Sequence, residues 1–300
     1  MSAASGLSTD RPLTLRALLR EAVTQFRCAG LVFGHGTHNA RDEAVYLILH
    51  TLKLPLDELD SVLERQLSPV EANALRAILR RRVVERTPAA YLTREAWLGK
   101  FKFYVDERAI VPRSFIAELL RRGLAPWIAD ARRVRGVLDL CTGSGCLAVL
   151  AAQAFPSARI DAAELSAEAL QVARRNVRAY ALGKRIRLVQ SDLFDRLAAR
   201  RYDLILSNPP YVNAAAMRAL PREYRCEPRI ALSGGRDGLA LVRRMLAQAA
   251  DHLNPEGLLV VEIGHNRAAL EKAYPRLPFT WLATSAGEDY VCMLHKEDLP

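Results

Sequence analysis

The run Ser207-Asn208-Pro209-Pro210-Tyr211 contains, in consecutive residues, groups that could hold a flat amino group. It follows directly on the apolar run 202–206, which predicts a buried strand. The two prolines end that strand, because each lacks an N–H and has a fixed φ. Asn208 and the backbone beside the prolines supply carbonyl acceptors, and Tyr211 supplies an aromatic face. A strand-end turn that packs one tyrosine would use the same residues, so other motifs must decide.

A glycine-rich loop lies earlier in the chain, between a predicted strand at 137–140 and a predicted apolar helix at 146–155. Its residues are Asp139, Leu140, Cys141, Thr142, Gly143, Ser144 and Gly145. Glycines allow a ligand to approach the backbone, and a helix N-terminus adds partial positive charge. A dinucleotide would suit the same spacing. Asp139, upstream of the glycines, favours a cation such as a sulfonium, and the chain has no recognisable residues for hydride transfer.

Two further predicted strands end in polar residues. Glu164 ends the strand at 159–164 and is well placed to accept hydrogen bonds from both hydroxyls of a ribose. Ser191 and Asp192 follow the strand at 186–190 and could bind the exocyclic amine of adenine, although a simple helix cap would also explain them. Ligands of parallel sheets bind at the carboxyl ends of the strands. These residues and Asn208 therefore predict one nucleoside-shaped pocket.

The elements that position these residues alternate between strand and helix from about residue 134 onward, which predicts a parallel sheet with helices on both faces. A long helix is expected at 237–253, and another ends at Gly183. Two last strands, at 279–284 and 290–294, predict a hairpin that adds an antiparallel strand. The expected fold class is α/β, with a mostly parallel, Rossmann-like sheet.

The chain before residue 88 shows only helical periodicity. Ser68-Pro69-Val70-Glu71 predicts a helix start with a capping box. Residues 1–10 are expected to be disordered, and the loop at 34–39 is interpreted as a polar turn despite its two histidines. The runs 101–105 and 109–111 predict a hairpin linker. We expect a helical substrate-recognition domain at 1–95, a linker at 96–113 and a catalytic domain at 114–300.

The amino-acid composition limits the classes of protein to which the chain can belong. The chain has 300 residues, 50% of them hydrophobic, and a formal net charge of +10, which favours encounter with polyanions. No apolar run approaches the roughly 20 residues needed to span a bilayer, and no signal peptide is recognisable, so a cytoplasmic protein is expected. The five scattered cysteines include no C-x-x-C pair, so we expect neither a disulfide nor a zinc site.

Taken together, the glycine loop and the Asn-Pro-Pro-Tyr run resemble a class I methyltransferase dependent on S-adenosylmethionine that methylates planar NH₂ groups. With the helical module and the hairpin, the chain resembles the HemK-like protein-glutamine methyltransferases. The segments 34–37, 88–93, 103–108 and 111–114 are most similar to the PrmB branch, which acts on a glutamine of the large-subunit ribosomal protein uL3. The resemblance extends from about residue 15 to residue 294.

The resemblance implies a seven-stranded sheet, S-adenosylmethionine as cofactor and no metal. It implies donor contacts from residues at the strand ends: Asp139, Cys141, Thr142, Gly143, Ser144, Gly145, Glu164, Asp192, Leu193 and Asn208. It implies that Asn208, Pro209 and Tyr211 hold the substrate amide during catalysis, with Pro210 and Glu227 also contacting substrate. The chain departs from the family pattern at Phe115, where proline is expected, and at Gly264-His265-Asn266, where Gly-Asn-Ser is usual.

Other functions stay open on the residues alone. A release-factor glutamine methyltransferase would use the same loop, and so would an adenine methyltransferase acting on rRNA or DNA. Relatives that methylate release factors place tryptophan where Leu193 stands. A nicotinamide-dependent dehydrogenase and a non-catalytic ribosome-assembly factor are the remaining alternatives. The expected partner is uL3, free or within an assembling ribosomal particle, with rRNA contact and no membrane.

Overall fold

The computed structural model describes residues 13–197 and 199–300, and these divide into two compact units between Thr93 and Arg94. The expected disorder at residues 1–10 lies outside the described residues. The first unit is helical: α1 (Leu15–Cys28), α2 (Ala40–Leu52), α3 (Leu59–Val62), α4 (Pro69–Val84) and α5 (Ala89–Thr93). Ser68 and Glu71 form the predicted capping box at the start of α4. In the described part of the chain, no helix has the length and apolar character to cross a membrane.

A buried ion pair anchors the polar loop of the first unit. Nε of Arg82 on α4 donates to Oε1 of Glu43 on α2 at 2.6 Å, and both side chains are almost fully buried. Glu43 also accepts from the Thr37 hydroxyl at 2.8 Å, and Arg82 donates to the Val32 carbonyl at 3.1 Å. The histidine-containing loop is thus fixed by the ion pair. Among the described residues no cluster of His, Cys, Asp or Glu could hold a metal.

The second unit begins with a hairpin whose strands differ from the prediction. β1 (Ala96–Leu98) pairs antiparallel with β2 (Phe101–Phe103) across a turn at Gly99, which has φ +62°. The expected pairing of 101–105 with 109–111 was wrong. The Asp106 carboxylate instead accepts from the Arg108 backbone N–H at 3.1 Å and from the Tyr104 hydroxyl at 2.7 Å. Such local hydrogen bonds give the backbone an alternative to a strand ladder.

The remaining elements form a seven-stranded sheet with helices on both faces, and the fold-class prediction is confirmed. The helices are α6 (Ile116–Arg121), α7 (Cys146–Ala154), α8 (Ala167–Ala179), α9 (Ala214–Ala219), α10 (Ala240–Ala249) and α11 (Arg267–Ala273). The strands are β3 (Gly136–Leu140), β4 (Arg159–Glu164), β5 (Ile186–Gln190), β6 (Tyr202–Ser207), β7 (Leu253–Glu262), β8 (Thr280–Trp281) and β9 (Val291–His295). Their spatial order is β5-β4-β3-β6-β7-β9-β8, with β9 antiparallel to both neighbours.

The burial of apolar helix residues explains why helices cover both faces of the sheet. α7 is almost wholly apolar and buried, and it belongs to the core on one face of the sheet, while α10 contributes Val242, Met245 and Leu246 to the other. Two predicted helix ends were wrong. α10 is shorter than 237–253, because the Asp237 carboxylate accepts from the Leu239 N–H at 3.1 Å before the helix begins. The residue with positive φ after α8 is Ala181, not Gly183.

Candidate active site

A pocket opens at the carboxyl ends of β3, β4, β5 and β6, where the sequence predicted one. Of the predicted site residues, those that line it are Cys141, Gly143, Glu164, Ser191, Asp192, Leu193, Asn208 and Pro210. Apolar side chains complete the walls, among them Ile110, Leu165, Ile230 and Leu241. The pocket therefore combines carboxylates with apolar surfaces, which suits a nucleoside that carries a cationic group.

The glycine loop contributes to the pocket through its backbone. Gly143 lies on the pocket wall with φ +56°, in the left-handed region that favours glycine. Gly145 is the N-cap residue of α7, and a Cβ there would lie 3.1 Å from Cβ of Ala173, so this glycine allows close packing of α7 against α8. The Ser144 side chain is buried and, like Thr142, does not line the pocket.

Asp139 lies beneath this loop and is fully buried, outside the pocket wall. Its Oδ2 accepts a hydrogen bond from the Thr142 hydroxyl, whereas Oδ1 has no partner among the described residues. Burial, together with the nearby charge of Glu164, raises the pKa of Asp139 to about 7, despite the lowering effect of that hydrogen bond. A buried oxygen without a partner is able to accept a hydrogen bond from an N–H or O–H group that reaches the loop.

Glu164 links the loop to the end of β4. Oε2 accepts from the Gly143 N–H at 2.9 Å, and Oε1 accepts from the Ser166 N–H at 3.0 Å. Burial raises the pKa of Glu164, although these backbone donors oppose the shift. Each carboxylate oxygen has more than one lone pair. The side chain can therefore still accept from ligand hydroxyls while it holds the loop.

The two residues after β5 have different roles. The Ser191 hydroxyl accepts from the Arg196 N–H at 3.0 Å, so Ser191 caps the turn that follows. Asp192 borders the pocket, and its Oδ2 lies 3.0 Å from Nη2 of Arg244 on α10. Leu193 is buried on the pocket wall and has φ 47°. Ser191, Asp192 and Leu193 all line the pocket, so each of them could contact a base.

Asn208 has a defined orientation at the end of β6. Its Nδ2 donates to the Arg113 carbonyl at 3.1 Å. Because the NH₂ group is used in this way, Oδ1 is the side-chain atom left to accept a hydrogen bond from a ligand. Asn208 and Pro210 line the pocket, whereas Pro209 and Tyr211 do not.

Tyr211 is held by residues that the sequence analysis did not select. Its hydroxyl donates to Oε1 of Glu262 at 3.3 Å, and its carbonyl accepts from Nδ2 of Asn266 at 2.8 Å. Gly264 packs against the ring so closely that a Cβ there would lie 2.5 Å from Cε2 of Tyr211. The Gly264-His265-Asn266 segment, one of the departures from the family pattern, therefore fixes the tyrosine.

Glu262, at the end of β7, also binds the segment before α6. Oε2 accepts from the Ser114 hydroxyl at 2.6 Å and from the Phe115 N–H at 2.9 Å. Proline, which the family pattern predicts at position 115, has no such N–H to donate. Burial raises the pKa of Glu262, although its donors oppose the shift.

Glu227 is placed differently from the expectation of a substrate contact. Both of its oxygens bind the guanidinium of Arg113, each at 2.6 Å, and Oε1 also accepts from the Val111 N–H at 3.0 Å. Glu227 is buried. Its evident role is to hold Arg113, the residue whose carbonyl orients Asn208. Arg113 and Glu262 were missed because their contacts link segments more than 50 residues apart in the sequence.

The chain is similar to known proteins in sequence and in fold. The chain matches the family models of the methyltransferase small domain over residues 123–221 and of the PrmC N-terminal domain over residues 17–93. A curated protein of Neisseria gonorrhoeae, named ribosomal protein uL3 glutamine methyltransferase, is 57% identical over 95% of both chains. A protein of the same name from Burkholderia pseudomallei is 54% identical over 96% of both chains.

Solved structures are similar in fold. The hMettl16 catalytic domain, crystallised in complex with a hairpin of the MAT2A 3'UTR, aligns with a TM-score of 0.51 over 98% of this chain and 94% of that one, at 17% sequence identity. A second structure of that domain has a TM-score of 0.50 over 76% of this chain and 81% of that one, at 15% identity. Identity at this level supports the fold alone.

The sheet order, the pocket at its strand ends and the methyltransferase domain define a class I methyltransferase whose methyl donor is S-adenosylmethionine. The pocket residues fit this donor, since the carboxylates of Glu164 and Asp192 stand with apolar walls at the strand ends. Within that class, the chain belongs to the family of ribosomal protein uL3 glutamine methyltransferases, which are HemK-like enzymes.

Proposed function

We propose that this protein transfers a methyl group from S-adenosylmethionine to the side-chain amide nitrogen of a glutamine in ribosomal protein uL3. The observation that carries the proposal is the orientation of Asn208, whose NH₂ group is held by the Arg113 carbonyl so that Oδ1 is left as an acceptor beside the donor pocket. The names of relatives that are 54–57% identical over nearly the whole chain support uL3 as substrate.

The residues of the Asn-Pro-Pro-Tyr loop orient the substrate amide for methyl transfer. An amide nitrogen is a poor nucleophile, because its lone pair is delocalised into the carbonyl. Oδ1 of Asn208 and the Pro209 carbonyl accept hydrogen bonds from the two N–H groups of the substrate amide. The Tyr211 ring stacks on the amide plane. These contacts aim the nitrogen at the donor and lower the entropic part of the barrier.

When bound, S-adenosylmethionine supplies an electrophilic methyl group on a positively charged sulfur. The amide nitrogen forms the new N–C bond as the C–S bond breaks, and the electron pair of that bond stays on sulfur as a neutral thioether. The nitrogen then releases one proton to water. No strong base is needed before transfer, which agrees with a loop built from an amide, carbonyls and a tyrosine.

We assign substrate choice to the segments before the catalytic part: a helical recognition domain at residues 1–95 and a linker at 96–113, followed by the catalytic domain at 114–300. The catalytic loop reads only a planar NH₂ group, so discrimination between substrates needs other surfaces. Ribosomal proteins are made and assembled in the cytoplasm, where we place this activity. We further propose that uL3 is methylated within an assembling particle, with contact to rRNA.

The test is mass spectrometry after incubation of the full chain with S-adenosylmethionine and, in separate reactions, uL3, a release factor or purified rRNA. We expect one added methyl group on a glutamine of uL3 and none on the other substrates. Methylation of the release factor or of rRNA, with uL3 unmodified, would overturn the proposal.

A further inference from the structure

The segment that follows Tyr211 carries a second concave surface, which we call the arginine groove. It has a volume of about 680 Å³, and Arg218, Arg225, Glu227 and Arg229 are among the residues that line it. Residues 227–232 form the wall between this groove and the donor pocket, with Pro228 and Ile230 facing the pocket and Arg229 facing the groove. Anything bound in the groove therefore lies beside the methyl-transfer site.

The groove is strongly positive. Arg218, Arg225 and Arg229 are exposed. Among the described residues that line it, Glu227 is the one carboxylate, and it is buried with both oxygens on Arg113. No acidic side chain in the lining therefore offsets the three guanidinium groups from the solvent side.

The arginines differ in how firmly they are held. Arg225 donates from Nε to the Leu220 carbonyl at 2.9 Å, so its guanidinium is fixed against the backbone. Arg218 and Arg229 make no side-chain hydrogen bond or ion pair to any residue in 13–197 or 199–300. Free guanidinium groups at the rim of a groove are well suited to phosphate, which arginine binds through paired N–H donors.

We propose that the arginine groove binds RNA phosphates, so that the enzyme grips the RNA associated with its substrate protein while the glutamine enters the active site. The inference rests on the proposed function. A ribosomal protein is itself basic, and a groove of three arginines would repel it if the two met without RNA. When RNA is bound to the ribosomal protein, its phosphates attract the groove and replace that repulsion. The formal net charge of +10 on the chain also favours attraction to RNA.

The first experiment measures binding of a fluorescein-labelled uridine 20-mer by anisotropy over a range of salt concentrations. The test variant of the full chain is Arg218→Glu with Arg229→Glu. Its control is Arg174→Glu with Arg178→Glu, because both of those arginines are exposed on α8 and the change in net charge is the same. We expect the test variant to bind at least tenfold more weakly than the control, with a salt slope lower by roughly 0.7 for each phosphate that it no longer neutralises.

Equal affinities of the two variants for the 20-mer would overturn the proposal, since net charge and not the groove would then explain RNA binding. Binding of polyglutamate by the wild-type protein as tightly as RNA would also overturn it, since the groove would then suit an acidic peptide. Unfolding midpoints of both variants check that each is folded.

The second experiment compares methylation of free uL3 with methylation of uL3 bound to purified large-subunit rRNA. The test variant should raise the KM for the RNA-bound substrate at least tenfold and leave kcat for free uL3 unchanged, whereas the control should change neither. A test variant with wild-type KM on both substrates would contradict the inference alone. If the wild-type protein methylates neither form of uL3, the proposed function itself is wrong.

Discussion

In the proposed reaction Asn208 contacts the substrate amide, and its orientation depends on the backbone carbonyl of Arg113. We predict that Asn208→Ala lowers kcat by roughly 10²–10³, the scale found when one positioned polar group is removed from a catalytic site. Affinity for S-adenosylmethionine should change little, because the side chain serves the amide. Steady-state kinetics and calorimetry separate the two effects. A loss of donor affinity as large as the loss of kcat would make Asn208 a donor-binding residue.

In the proposed reaction Glu262 positions Tyr211 through a hydrogen bond and does not itself contact the substrate. Glu262→Gln replaces an acceptor with an NH₂ group among three donors, from Ser114, Phe115 and Tyr211. We expect kcat to fall about tenfold, which corresponds to the loss of one hydrogen bond to a charged acceptor. In a double-mutant cycle with Tyr211→Phe the two effects should be non-additive. The exposed Glu271→Gln serves as control, and additive effects would separate Glu262 from Tyr211.

Asp139 makes stability depend on pH. The usual pKa of an aspartate is 3.8, and burial raises that of Asp139 to about 7, so the folded state keeps a proton that the unfolded state loses. Stability should therefore fall as pH rises from about 4 to about 7 and then level off. Asp139→Asn removes this contribution. Its urea midpoint relative to wild type should be higher at pH 8 than at pH 5, and a difference independent of pH would contradict the assignment.

At the scale of elements, the first unit depends on the ion pair between α2 and α4. We predict that Arg82→Ala costs about 3–5 kcal/mol in unfolding free energy, because it leaves the charge of Glu43 buried without its partner. Arg81→Ala is the matched control. Its ion pair with Glu85, one helical turn away, is half exposed, so the cost should stay within about 1 kcal/mol. Urea unfolding measures both, and equal costs would contradict the argument.

Local patterns predicted most elements, while contacts distant in sequence decided the rest. The capping box at Ser68, the strand end at Glu164 and the strand that stops before Asn208 depend on neighbouring residues, and all were recognisable in the sequence. The strand pairing of the hairpin was predicted wrongly because β2 is flanked by two turn-forming segments. The sequence does not show that the Asp106 carboxylate accepts a hydrogen bond from the Arg108 N–H. Glu262 could not be identified, because the role of its carboxylate depends on hydrogen-bond partners that lie 51 to 148 residues away in the sequence.

At the scale of the whole molecule, the division between Thr93 and Arg94 suggests where the chain can be cut. We predict that a protein of residues 94–300 binds S-adenosylmethionine with near wild-type affinity but no longer methylates uL3, since the donor pocket is built entirely from the second unit. Calorimetry and the methylation assay measure the two properties. Full activity of the truncated chain would show that the helical unit does not select the substrate.

The two departures from the family pattern share a neighbour. The Phe115 ring lies 5.3 Å from that of Tyr290, centroid to centroid, and the His265 ring lies 4.9 Å from the same tyrosine. Phe115 also reaches Glu262 through its N–H, and His265 lies between Gly264 and Asn266, which fix Tyr211. Substitutions at 115 and 265 should therefore show epistasis. Restoring the family residue at one position alone would leave Tyr290 with a mismatched environment, so in related enzymes these positions are expected to have changed together.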